Sequence, residues 1–109
     1  MEVVKKLIQA GGEVNEQTSL GSTPLLVASM NGHVEVVNIL IQAGAEVNTQ
    51  VKEGIFKGWT PLHLASLNGH VEVITALLAA GADKTVKTKA GYTPHDLAWN
   101  HQECKNALE

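Results

Sequence analysis

The stretch GSTPLLVASMNGHVEVVNILIQAGAEVN (Gly21 to Asn48) returns, 37 residues later, as GWTPLHLASLNGHVEVITALLAAGADKT (Gly58 to Thr85). Two further echoes set the true period. EVVKKLIQAGGEVN (Glu2 to Asn15) matches EVVNILIQAGAEVN (Glu35 to Asn48) at an offset of 33, and GWTPLHLA (Gly58 to Ala65) matches GYTPHDLA (Gly91 to Ala98), again at 33. The chain is therefore a tandem repeat of 33 residues with one interval lengthened by four. Self-similarity on this scale marks a stack of supersecondary units, each unable to bury its apolar face alone.

Each unit carries its own punctuation. Thr23, Thr60 and Thr93 are placed to N-cap a helix, followed by Pro24, Pro61 and Pro94 at the first helical position, where no N–H is required. Gly32 and Gly69 supply the left-handed conformation that stops this first helix after about two turns. A second helix follows in VEVVNILIQA (Val34 to Ala43) and VEVITALLAA (Val71 to Ala80), apolar around most of its circumference and so packed on more than one side. Gly44 and Gly81 end it. The segments Gly11 to Gly21 and Gly81 to Gly91 are polar, Gly-bounded and suited to a projecting hairpin-like loop; Gly44 to Gly58 is the same loop, longer by four residues.

These residues resemble the ankyrin repeat family. The likeness rests on Thr-Pro-Leu-His at Thr60 to His63, Asn-Gly-His at Asn31 to His33 and Asn68 to His70, and Ala-Gly-Ala-Glu/Asp at Ala43 to Glu46 and Ala80 to Asp83. A tetratricopeptide array would lack the Thr-Pro starts and the long loop. The expected fold is all-α, an ankyrin-repeat solenoid of stacked helix-turn-helix units. It is a single domain over 1–109: a partial repeat (1–15), a repeat (16–48), a repeat with the four-residue insertion (49–85) and a truncated last repeat (86–109). A piece of a longer array is the expected origin. Leu26 stands where the family has the motif histidine, and His95-Asp96 replaces Leu-His in the last unit. Asp96 is placed to reach back to Thr93 in a capping box.

Composition is that of a folded chain, with 44% hydrophobic and 17% charged residues. A net charge of −3 disfavours nucleic acid as the main partner. No apolar run is long enough for a membrane span, and the opening residues do not form a signal peptide; an intracellular, cytoplasmic setting is expected. The single cysteine, Cys104, excludes an internal disulfide and reads as a packed small residue. The five histidines show no metal-ligand spacing, and His33 and His70 read as turn residues bonding backbone carbonyls. With no nucleophile–base pair, phosphate loop or facing carboxylates, neither an enzyme nor a bound cofactor or metal is expected.

What remains is recognition of another protein by a monomeric scaffold. The resemblance implies that loop tips and the exposed face of the first helices line a groove. By alignment these positions are Ser19, Leu20, Ser22, Met30 and Asn31; then Phe56, Lys57, Trp59, Leu67 and Asn68; then Lys89, Ala90, Tyr92, Asn100 and His101. The partner-binding set expected from them is Leu20, Ser22, Met30, Phe56, Lys57, Trp59, Leu67, Lys89 and Tyr92, with Trp59 as the anchor. The added loop length is expected to carry Ile55 and Phe56 outward. Trp99 aligns with Ser29 and Ser66, a site facing the neighbouring unit, where it would cover the short final helix or dock a following repeat. The alternative is a targeting or substrate-recognition module belonging to a larger enzyme or effector. The family resemblance also marks Asn15 and Asn48 as candidates for asparagine hydroxylation.

Overall fold

A computed structural model describes residues 23–109. Among these residues six helices fall in three pairs: α1 (Pro24–Asn31) with α2 (Val34–Gln42), α3 (Pro61–Leu67) with α4 (Val71–Ala79), and α5 (Pro94–Leu97) with α6 (Gln102–Leu108). First helices stack on first helices and second on second, so α1, α3 and α5 form one layer and α2, α4 and α6 the other. The main core lies between the layers and runs the length of the stack. Leu25, Val37, Leu40, Leu62, Ala65, Val73, Ile74, Leu77, Ala98, Cys104 and Leu108 all belong to it. Cys104 is buried, and that burial pushes its thiol above the ordinary range, as its reading as a packed residue requires.

All three first helices begin as the sequence predicts, with Thr in extended backbone accepting from the N–H three residues on and Pro at the helix start. They differ in what the third helical residue returns. Asp96 Oδ2 accepts from Thr93 N at 2.9 Å, completing the capping box and holding its carboxyl below the usual range. His63 does the same with a ring: Thr60 N donates to Nδ1 at 3.0 Å. That bond leaves the proton on Nε2, which donates to the Val86 carbonyl of the next loop at 2.8 Å. His63 is thus a fully buried tie between neighbouring units.

Leu26 can make neither bond, and the structure shows what replaces them. At the position where the next unit has Thr88, this one has Val51, and Leu26, Val51 and Leu64 form a second small core beneath the long loop. The polar pair His63/Thr88 in one interval corresponds to the apolar pair Leu26/Val51 in the other.

The units approach closely at the turn between helices. Gly32 has φ +74°, and a Cβ there would lie 2.6 Å from the His70 ring; Gly69, at φ +75°, would meet His101 at 2.7 Å. Glycine is required twice over, by backbone conformation and by space. The same turn is bonded across: His70 Nε2 lies 3.0 Å from the Met30 carbonyl, which also accepts from Asn68 Nδ2 at 3.2 Å. His70 therefore bonds a carbonyl of the preceding unit, not of its own turn.

His101 performs the His70 role, and this corrects the alignment of the last unit. His101 N donates to the Ala98 carbonyl as His70 N donates to that of Ala65, both at 2.9 Å. The last unit is therefore two residues shorter between first and second helix, and α5 has only four residues. Trp99 consequently falls beyond the helix end and is 70% exposed, not inward like Ser29 and Ser66. His101 packs at Gly69 as part of the contact between units.

Burial holds His63 below its ordinary value of 6.5, so the unfolded chain binds its proton first and stability falls as pH drops below about 6.5. His63→Leu should cost about 1–2 kcal/mol near pH 7.5, because the Val86 carbonyl loses its donor. It should also flatten the loss of stability between pH 7 and 5 by roughly its single-proton share. Adding Thr88→Val, which copies the Leu26/Val51 pair, should recover part of the loss. Denaturant titrations at each pH check all three outcomes.

Candidate functional site

The four-residue insertion can now be placed. In the last loop, Thr88 N donates to the Tyr92 carbonyl and Gly91 N to that of Thr88, both at 2.8 Å. In the long loop, Val51 N donates to the Trp59 carbonyl at 2.9 Å and Gly58 N to that of Val51 at 2.7 Å. The base is the same, and the six residues Lys52 to Lys57 stand where the last loop has Lys89 and Ala90. Local bonds fold this excursion: Lys57 N reaches the Gly54 carbonyl and Trp59 N that of Phe56. Gly54 and Gly58, at φ +92° and +88°, permit the two reversals.

The excursion is anchored by its own aromatics. Phe56 meets Trp59 edge-on, ring centroids 4.8 Å apart, and Trp59 lies 6.0 Å from the His63 ring. Both rings are half-buried, and with Met30 they pack on Leu26, Val51 and Leu64. Phe56 thus turns inward, against the expectation that the added length carries it outward. Its neighbour Ile55 does project, at 90% exposure. Phe56 covers apolar surface that the Leu26/Val51 pair leaves beneath the loop, and pinning Phe56 fixes the direction of Ile55.

Between the long loop and the last one lies a cleft of about 370 Å³, lined by Ile55, Lys57, Trp59, Lys89, Tyr92 and Leu97 together with Gly54, Thr88 and Ala90. It gathers four residues of the expected partner set: Lys57, Trp59, Lys89 and Tyr92. Tyr92 is 51% exposed, and its backbone is held at both ends, its N–H donating to Thr88 Oγ1 at 3.2 Å. Trp59 has two sides, one on the minor core and one on the cleft. Ile55 and Leu97 are additions. Ile55 has no counterpart in the other units, so alignment could not map it, and Leu97 is a buried helix residue that reaches the cleft floor.

Other expected residues lie elsewhere. Met30 and Leu67 are half-buried on the first-helix layer, outside the cleft. Asn68 spends its amide on the Met30 and Leu64 carbonyls. Leu20, Ser22, Ser19 and Asn15 lie outside the described residues. Asn48 is exposed and staples one loop to the next, its Oδ1 accepting from Asp83 N at 2.8 Å. Asp83 in turn accepts from Thr85 N and Oγ1, which hold its carboxyl below the usual range. His95 is half-exposed, its Nε2 3.9 Å from Glu109 Oε1. Among the described residues no three His, Cys, Asp or Glu side chains are grouped to hold a metal ion, and no helix is long and apolar enough to cross a membrane.

The partition of the two loop residues is measurable. Trp59→Ala should destabilise the fold by about 2 kcal/mol through loss of minor-core packing. Ile55→Ser should change stability by less than about 0.5 kcal/mol. Equilibrium unfolding monitored by helical circular dichroism checks both.

A family model described as ankyrin repeats (3 copies) matches residues 1–88. No curated protein matches the chain. The last helix pair, with its shortened first helix and His95-Asp96 start, extends past the matched region yet stacks on the unit before it. Ankyrin repeats are in general non-catalytic modules that bind other proteins. By its matched profile, its paired-helix stack and its repeated Thr-Pro, Asn-Gly-His and Ala-Gly-Ala blocks, the chain belongs to the ankyrin repeat family.

Proposed function

We propose that this chain is a non-catalytic interaction scaffold that engages a protein partner through the cleft between its long loop and its last loop. The observation that carries this reading is the convergence of Ile55, Trp59 and Tyr92 on one concave surface. An isoleucine at 90% exposure and a half-exposed tyrosine are apolar area left in water. Trp99 and Val27 are the other exposed large apolar side chains among the described residues, and neither lines the cleft. Exposed apolar and aromatic groups gathered in a concavity are the usual mark of a recognition site, and Trp and Tyr are enriched among the residues that dominate binding.

The scaffold supports such a role mechanically. The loop bases are bonded as in the regular unit, and Phe56 fastens the excursion to the minor core. A preorganised surface loses less conformational entropy on binding than a mobile one. Trp59, the anchor expected from sequence, contributes to both fold and cleft, so its removal cannot separate the two. Ile55 and Tyr92 can.

Affinity capture from native extract tests the reading. A protein held by the wild-type chain should be lost, by about tenfold or more in affinity, with Ile55→Ser plus Tyr92→Ala. It should be retained with Glu35→Ala plus Glu72→Ala on the second-helix layer. Equal retention by the cleft variant, with its helical signal intact, would overturn the assignment of the site.

A further inference from the structure

The cleft differs in charge from the molecule that carries it. The chain as a whole is at −3, yet five of its eight basic residues, Lys52, Lys57, Lys84, Lys87 and Lys89, lie on these two loops, against three acidic ones, Glu46, Glu53 and Asp83. One of the five is already engaged, Lys84 Nζ donating to the Glu109 main-chain oxygen at 2.6 Å, and Lys87 does not line the cleft. Lys57 and Lys89 are exposed, line the cleft from opposite loops, and pair with no carboxylate among the described residues. None of the described lining residues is acidic. Asp83 and Asp96 are held by Thr85 and Thr93, and neither lines the cleft.

From this arrangement we infer that the cleft takes an acidic peptide segment, in which one large apolar side chain enters between Trp59 and Tyr92 while flanking Asp or Glu carboxylates meet Lys57 and Lys89. The inference rests on the proposed site and adds the chemistry of its occupant. Apolar walls supply the desolvated contact and the two lysines supply register and steering. Glu53, beside Gly54 at the loop tip, disfavours carboxylates at that edge and so favours one orientation of the segment. A nucleic acid is the weaker fit: two unpaired lysines on an acidic chain are few phosphate contacts.

The probe is a phage-displayed random peptide library selected on the whole chain, followed by fluorescence polarisation with the enriched peptides. Enrichment of sequences carrying Asp or Glu on both sides of an apolar or aromatic residue is expected. Their binding should weaken by about tenfold or more with Lys57→Glu plus Lys89→Glu and with Tyr92→Ala, and should fall as salt is raised. Lys52→Glu, outside the cleft lining, should change it far less. Peptides that depend on Tyr92 but lack acidic residues and ignore the double charge reversal would overturn this inference while leaving the proposed site standing. Enrichment of no peptide sensitive to Tyr92→Ala would overturn both. Tighter binding of a single-stranded oligonucleotide or a phosphatidylserine vesicle in the same assay would also overturn the peptide assignment. Helical circular dichroism of each variant confirms that the fold is kept.

Discussion

Helices of four to nine residues are too short to persist alone, and the structure therefore depends on the contact between successive units. That contact is most constrained at the turn inside each helix pair. A histidine ring from one unit lies over the glycine of the unit before, at a distance that admits no side chain. His70 and Asn68 satisfy the carbonyl that the end of α1 leaves open, and His63 does the same for the next loop. Burial of Leu, Val and Ile between the layers supplies most of the driving force, on the order of 1.5–3 kcal/mol for each fully buried side chain. The histidines and glycines determine the spacing at which that burial can occur. The last unit keeps this contact through His101 despite a first helix reduced to four residues, which shows where the repeat is least free to vary.

On this frame the departures from regularity are coupled. Leu26 in place of the motif histidine removes a bond to the next loop, and Val51 in place of the Thr88 equivalent restores contact by apolar packing. The resulting minor core needs covering, and the inserted residues cover it with Phe56 and Trp59. One consequence is that Ile55 is held out beside Tyr92 across a cleft with a lysine on either loop. A loop insertion alone would lengthen the chain at small cost. Coupled to the Leu26 change, it becomes a fastened structure with a defined surface.

Much of this was legible in the sequence because repeat grammar is local. The Thr-Pro starts, the Asp96 capping box and the glycine stops each follow from a few adjacent residues and appear as expected. Readings that depended on counting through an irregular interval fared differently. A fixed offset of 33 aligns Trp99 with Ser29 and Ser66 and His101 with a groove position; a two-residue shortening, invisible without the backbone, puts Trp99 past the helix end and His101 over Gly69. The added length alone points Phe56 outward, because the sequence does not reveal that the Leu26/Val51 pair leaves apolar surface beneath it. Ile55 is an inserted residue and has no aligned partner in the other units. Lys57, Trp59, Lys89 and Tyr92 are legible in the sequence as loop positions; their shared concavity is a property of the three-dimensional stack.

The cleft between the irregular loop and the last loop is the surface proposed for a protein segment. Backbone amide chemical shifts, followed during titration with the tightest peptide the chain selects, test this most directly. The amides of Ile55, Lys57, Trp59, Lys89 and Tyr92, with the Trp59 indole, should shift together and saturably, while those of Glu35, Val36, Glu72 and Val73 stay in place. Shifts concentrated on the second-helix layer, or spread evenly through both layers, would contradict it.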